Sequence, residues 1–213
     1  MEKLAIFDVD FTLTRKETLL EFYKFMLKKH PKFLIYIPRT VFSGLFYVLK
    51  FHDEKKTKEI FTRFIRGIRE EDMEDIVKEF YEKVLCRIIY KDSIDMIAKL
   101  KKEGCKVILI SASPEFYLKS LYNIKEVDKI IGTRISKKDG IYQNKLEGEN
   151  CKGEEKVRRL KSYIKEKNID VDFKNSYMFS DSLADLPLFK LVGKPYLINY
   201  NKKYDDIEIL NWK

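Results

Sequence analysis

Apolar runs of strand length alternate with amphipathic helical stretches along much of this 213-residue chain, and that alternation restricts its fold more than any other feature. The runs KLAIFDVD (3–10), CKVILISAS (105–113), SYMFSD (176–181) and KPYLINY (194–200) show no helical period and end in polar loop residues. Directly before the second run lies KDSIDMIAKLKKEG, and between the later runs lie GEEKVRRLKSYIKEK and SLADLPLFKLVG, which all read as helices. PEFYLKSLYNI also reads as a helix, KIIGTRISKKDGIYQNKLEG as short strands turning at Asp139-Gly140, and KPYLINY as the last strand. Strand–helix alternation of this kind predicts an open, doubly wound parallel α/β sheet.

The stretch from about Glu17 to Cys86 breaks the alternation. ETLLEFYKFMLKK, DEKKTKEIFTRFIRG and EEDMEDIVKEFYEKVL have helical patterning, so a helical insert is expected between the first strand and the rest. The expected division is residues 1–14 plus 89–213 as the α/β core and 15–88 as a helical cap. Within the insert, FLIYIPRTVFSGLFYVLKF (33–51) approaches the length of a bilayer span, but Pro38-Arg39 interrupts it and Lys50 closes it. The reading favoured is a cap core, with a face touching substrate, lipid phosphate or a membrane surface as the second.

The net charge of +9 is concentrated in the same region, where residues 15–66 hold 13 Lys and Arg against 5 Asp and Glu. Such an excess attracts anions, but it is more often a solvated helical face. No aromatic-basic recognition motif accompanies it, so no nucleic-acid partner is expected. Cys86, Cys105 and Cys151 are scattered and match no metal-ligand spacing, and the chain enters a strand at once, which together point to a reducing cytoplasm.

In an open parallel sheet, chemistry gathers where strands end. The first strand delivers Asp8, Asp10 and Thr12, and the second delivers Ser111. Lys152 and Lys156 stand at the start of a helix, and SYMFSDSLAD delivers Asp181 and Asp185. Each alone has an ordinary reading as a cap, a loop acid or a surface lysine. Ser113, before Pro114, reads as a helix N-cap. In combination, each at a strand exit or helix start, they point to one polar site.

These segments, DVDFTLT, LISAS, the lysines of CKGEEKV, and SDSLADLP, resemble the four motifs of the haloacid dehalogenase superfamily of phosphohydrolases, in its phosphoserine-phosphatase-like branch. The resemblance spans nearly the whole chain, and the helical insert falls where that superfamily carries its first type of cap. It implies a phosphatase in which Asp8 is the nucleophile that forms an aspartyl-phosphate, and Asp10 the general acid/base. It implies Mg²⁺ held by Asp8, Asp181 and the Asp10 carbonyl, with Asp185 acting through the second layer of contacts. Ser111 and a lysine would stabilise the phosphoryl charge. A Cys-x-Gly-x-x-Lys pattern points to Lys156, the reading favoured, and an Ala-Lys-Gly-Glu pattern to Lys152. An aspartate at position 10 separates this chain from the superfamily's transport ATPases, which have threonine there, and leaves phosphatase or phosphomutase chemistry.

The resemblance also places Thr12, Ala112, Glu17 and Arg63 on the substrate side. Glu17, nine residues after Asp8, matches an amine-reading acid, and Arg63 loosely matches a carboxylate-reading arginine. SASPEF departs from the Ser-Gly-Gly expected after the second motif, which leaves a larger, partly apolar phosphomonoester open beside phosphoserine. A phospho-receiver domain would use similar acids but would lack an insert of this size.

Overall fold

A computed structural model describes residues 1–36, 38, 53–202, 204 and 206–213. Six strands form the main sheet: β1 (Lys3–Phe7), β2 (Cys105–Pro114), β3 (Val127–Thr133), β6 (Tyr177–Ser180), β7 (Lys194–Ile198) and β8 (Glu208–Leu210). Their order is β3-β2-β1-β6-β7-β8, and every pairing is parallel. β8 is an edge strand beyond KPYLINY, which is therefore not the last strand. Its three residues are too few to show a period in the sequence.

β1 lies mid-sheet with Leu4, Ala5, Ile6 and Phe7 fully buried. Because successive strand residues face opposite sides, Leu4 and Ile6 enter one apolar cluster and Ala5 and Phe7 the other. Helices cover both faces, as a parallel sheet requires. α4 (Lys91–Lys102) adds Ile97 and Leu100 to the cluster of Ala5 and Phe7, and α6 (Glu154–Glu166) adds Val157 and Leu160 to that of Leu4 and Ile6. The chain leaves β1 toward β2 on one side and reaches β6 on the other, so a crevice opens at the carboxyl end of β1. This is where ligands bind in doubly wound sheets.

The insert between β1 and β2 contains α1 (Thr18–Lys29), α2 (Glu54–Phe61) and α3 (Glu70–Lys83). Its two connections to the sheet run side by side, with Arg15 N donating to Ile88 O (2.7 Å) and Tyr90 N to Leu13 O (3.0 Å). Phe22 of α1 is its packing hub, touching Phe80 (5.0 Å between ring centroids), Phe64 (6.0 Å) and Tyr117 (5.3 Å). Tyr117 belongs to α5 (Glu115–Leu118), directly after β2, so insert and sheet share one apolar cluster. The stretch 33–51 lies outside the described residues except for 33–36 and Pro38. Among the described residues, no helix is long and apolar enough to cross a membrane.

β4 (Ile135–Lys138) and β5 (Ile141–Leu146) form a separate antiparallel hairpin. Its turn residues Asp139 and Gly140 are both left-handed (φ 52° and 71°), as a two-residue hairpin turn demands. It docks on the insert, with Gly67 N donating to Tyr142 O (3.0 Å) and Tyr142 N to Ile68 O (2.9 Å). Two expected helices are shorter than their patterning suggests. PEFYLKSLYNI is α5 followed by a 3₁₀ turn at Lys119–Asn123, and SLADLPLFKLVG is a 3₁₀ turn at Leu183–Asp185 followed by α7 (Leu186–Phe189). Pro187 has no N–H and fits only a helix's first turn, so α7 starts beside it.

Candidate active site

After β1 the backbone curls around one carbonyl: the amides of Thr12, Leu13 and Thr14 all donate to Val9 O (3.3, 2.9 and 2.9 Å). This tight loop puts the Asp8 and Asp10 side chains in different surroundings. Asp8, only 8% exposed, meets the Lys156 ammonium at 2.7 Å. The same ammonium lies 2.7 Å from Asp185, whose carboxylate also accepts from Ser180 Oγ at 2.8 Å. Asp10 is instead gripped by four donors. Thr18 N and Thr18 Oγ1 reach Oδ1 at 2.6 Å each, while Ser113 Oγ (2.7 Å) and Ser111 Oγ (3.2 Å) reach Oδ2.

The electrostatics follow from a shortage of positive charge. Among the described residues, Asp8, Asp181 and Asp185 have Lys156 as their buried cation, and Lys58 stands nearer Asp10. Burial raises the Asp8 carboxyl to about 8, against the pull of Lys156 and with Asp185 and Asp10 adding to the rise. Lys156 is held well above the usual lysine range: burial opposes its charge, but the attraction of Asp8 and Asp185 is larger in sum. The ammonium thus stays charged, and the surplus negative charge is relieved by a proton on Asp8 or by a further cation. Asp181 is raised to about 6, chiefly by burial, with Asp185 and Asp10 contributing.

That surplus is the chemistry a hard divalent ion satisfies. Among the described residues no three Asp, Glu, His or Cys side chains form a ready metal cluster. Mg²⁺ does not need one, since it takes one or two carboxylates and fills the rest of its octahedron with water and substrate phosphate. Asp8, Asp181 and the Asp10 carbonyl fit such a donor set.

Several expected residues stand elsewhere than the sequence suggested. Lys152 is exposed and pairs with Glu54 of the insert, leaving Lys156 as the lysine at Asp8. Asp185 touches Lys156 and Ser180 and holds the lysine in place. Thr12, expected on the substrate side, is fully buried, and its hydroxyl accepts from Asp181 N at 2.8 Å, so it anchors the end of β6 to the Asp8 loop. Ser113 is not a helix cap: it lies within β2, two residues from Ser111 and so on the same face, and both hydroxyls reach Asp10. Gly132 lets β3 pass against this segment, where a Cβ would come within 2.9 Å of Ser113 O and Glu115 Cα.

A cavity of about 550 Å³ opens beside Asp10, lined among others by Phe11, Glu17, Leu19, Lys58, Phe61 and Ala112. Glu17 caps α1 by accepting from Leu20 N at 2.6 Å, and its carboxyl also faces this cavity. Burial, with Asp10 nearby, raises it to about 7. Arg63 sits in the 3₁₀ turn after α2 and does not line the cavity. Lys58, one turn earlier, does. Its ammonium donates to Ala112 O (2.6 Å) and Asn150 Oδ1 (2.7 Å), and burial lowers it to about 8. Neither Lys58 nor Thr18 is distinguishable in the sequence from its many equivalents.

Fold and site together define an α/β enzyme whose acids gather at the topological switch point of a doubly wound sheet. The chain belongs to the haloacid dehalogenase-like hydrolase family, whose model matches residues 5–190. A histidinol-phosphatase from Neisseria meningitidis serogroup C (strain 8013) is 24% identical over 205 residues, which are 93% of this chain and 91% of that relative. A protein of unknown function from Bordetella pertussis Tohama I shares the fold with a TM-score of 0.84 at 20% identity, over 94% of this chain and 92% of that one. A substrate-bound phosphoserine phosphatase shares it with a TM-score of 0.67 at 18% identity, over 98% and 93%.

Proposed function

We propose that this chain is a Mg²⁺-dependent phosphomonoesterase that works through an aspartyl-phosphate on Asp8, with residues 15–88 as the cap over the site. The observation that carries this reading is the division of labour between two neighbouring carboxylates. Asp8 is turned to a buried ammonium, while Asp10 is turned to Thr18, Ser111 and Ser113.

A carboxylate and a phosphate dianion repel each other, and Mg²⁺ when bound supplies the charge that lets them approach. Asp8 attacks phosphorus, the bond to the leaving oxygen breaks, and Asp10 gives that oxygen its proton. Asp10 then takes a proton from the water that opens the acyl-phosphate, releasing inorganic phosphate and restoring Asp8. Three partners of Asp10 are hydroxyls, which accept as readily as they donate, so the pocket suits its neutral and its ionised form. Lys156 stays charged throughout, held by Asp185, and offsets charge that develops on the phosphoryl oxygens.

Glu17 supports a substrate with a basic nitrogen, in line with the amino-alcohol and amino-acid phosphates in the names of the relatives. The described cysteines form no disulfide, and buried Cys105 and Cys151 suit a reducing, cytoplasmic compartment. The test is a hydrolysis screen of amino-acid, sugar, nucleotide and lipid phosphates with Mg²⁺. Asp8→Asn should abolish turnover, and EDTA should stop it reversibly. Hydrolysis of an aryl phosphate by Asp8→Asn at the wild-type rate overturns the reading.

A further inference from the structure

Phe11 is the one residue of the Asp8 loop whose properties the acid chemistry does not explain. Its backbone is left-handed at φ 57°, and its ring is 47% exposed. Both features run against folding stability. A left-handed backbone is strained for a bulky L-residue and costs glycine nothing, and an exposed phenyl ring gains little from burial. Glycine or a small polar residue would serve the turn better on both counts. Strain kept beside a functional site points to a contact made outside the fold.

The cavity supplies that contact. Phe11 lines it together with Asp10, so the ring borders the space in which a substrate's leaving group must lie. Leu19 and Phe61 add apolar wall to the same space. Phe61 packs against Tyr23, with ring centroids 5.3 Å apart, and Leu19 is 6% exposed in the apolar cluster, so both walls are held by core contacts. The basic group at this wall is already engaged, since the Lys58 ammonium donates to Ala112 O and Asn150 Oδ1. At about 550 Å³ the space falls within the range of pockets that enclose ring-bearing ligands, and a two- or three-carbon chain fills a small part of it.

We infer that Phe11, with Phe61 and Leu19, forms an apolar clamp for the leaving group, and that the substrate class is the phosphomonoester of an alcohol bearing a planar ring. This deepens the phosphatase reading above and rests on it. Phe11 is a specificity-determining residue here: it contacts the part of the substrate that departs, in the cavity it lines together with Asp10.

The experiment compares two non-hydrolysable, amine-free probes, 2-phenylethylphosphonate and ethylphosphonate, by calorimetry with Mg²⁺ present. It also measures hydrolysis of the matching phosphate esters. The wild-type protein should bind the ring-bearing probe at least tenfold more tightly. Phe11→Gly should lower that preference at least tenfold, mostly through KM on the esters, without lowering Tm. Phe11→Leu, which keeps apolar bulk but no ring, should fall between. A wild-type preference for the ethyl probe, or a ratio unchanged in Phe11→Gly, overturns the clamp. Retained binding preference with no Asp8-dependent turnover of the ester would instead overturn the phosphatase reading and leave the clamp standing.

Discussion

Lys156→Met is the sharpest perturbation of this site. The ammonium lies 2.7 Å from both Asp8 and Asp185, and the three side chains are only 3%, 11% and 4% exposed. Methionine keeps the apolar stem and removes the charge, which leaves Asp8 and Asp185 without their shared partner. Removing one partner of a buried ion pair costs about 3–5 kcal/mol. At about 2–4 °C per kcal/mol for a chain of this size, Tm near pH 8 should fall by about 6–20 °C. At pH 5 the fall should be smaller. Asp8, whose carboxyl is raised to about 8, is then protonated and relies less on the ammonium for charge balance. Lysine itself stays charged across this window, because its two partners hold it above its usual range. Calorimetry in EDTA at the two pH values reads both effects, and Asp185→Asn in the Lys156→Met background should restore part of the loss. A fall of less than about 2 °C at pH 8, or equal falls at both pH values, would refute the electrostatic account.

Asp8 and Asp181, raised to about 8 and about 6 from 3.8, bind protons more tightly folded than unfolded, so stability without metal should decline as pH rises from about 4 to 8. Mg²⁺ competes with those protons, and the Tm gain it brings should therefore grow from pH 5 to pH 8; a gain that shrinks over that range would place the ion elsewhere. Glu17→Gln keeps an acceptor for Leu20 N and should cost under about 1 kcal/mol of stability. It should lower kcat/KM for amine-bearing phosphates at least tenfold relative to amine-free ones, and an equal loss on both removes the amine-reading role.

The legible parts of this protein are those encoded by short-range pattern. Apolar runs such as KVILI can satisfy their backbone groups and bury both faces only inside a parallel sheet, so the fold class follows from the alternation. Asp8, Ser111 and Asp181 could be named as site residues because each ends such a run, where a doubly wound sheet converges. The short α7 and the edge strand β8 were not legible. Pro187 overrides the helical pattern in the first case, and β8 is held by pairing with β7 rather than by its own three residues.

What tertiary structure decided was which of many equivalent side chains meets which partner. Lys152 and Lys156 are four residues apart and chemically identical, and the sequence cannot separate them. The fold sends one outward to Glu54 and buries the other between Asp8 and Asp185. Thr18 and Lys58 reach the site from the insert only because Phe22 packs that insert onto Tyr117. Strand-end chemistry is written in sequence because it sits at a fixed offset from a local pattern. Contacts across the crevice are set by how two separately patterned pieces pack, and no local pattern records that.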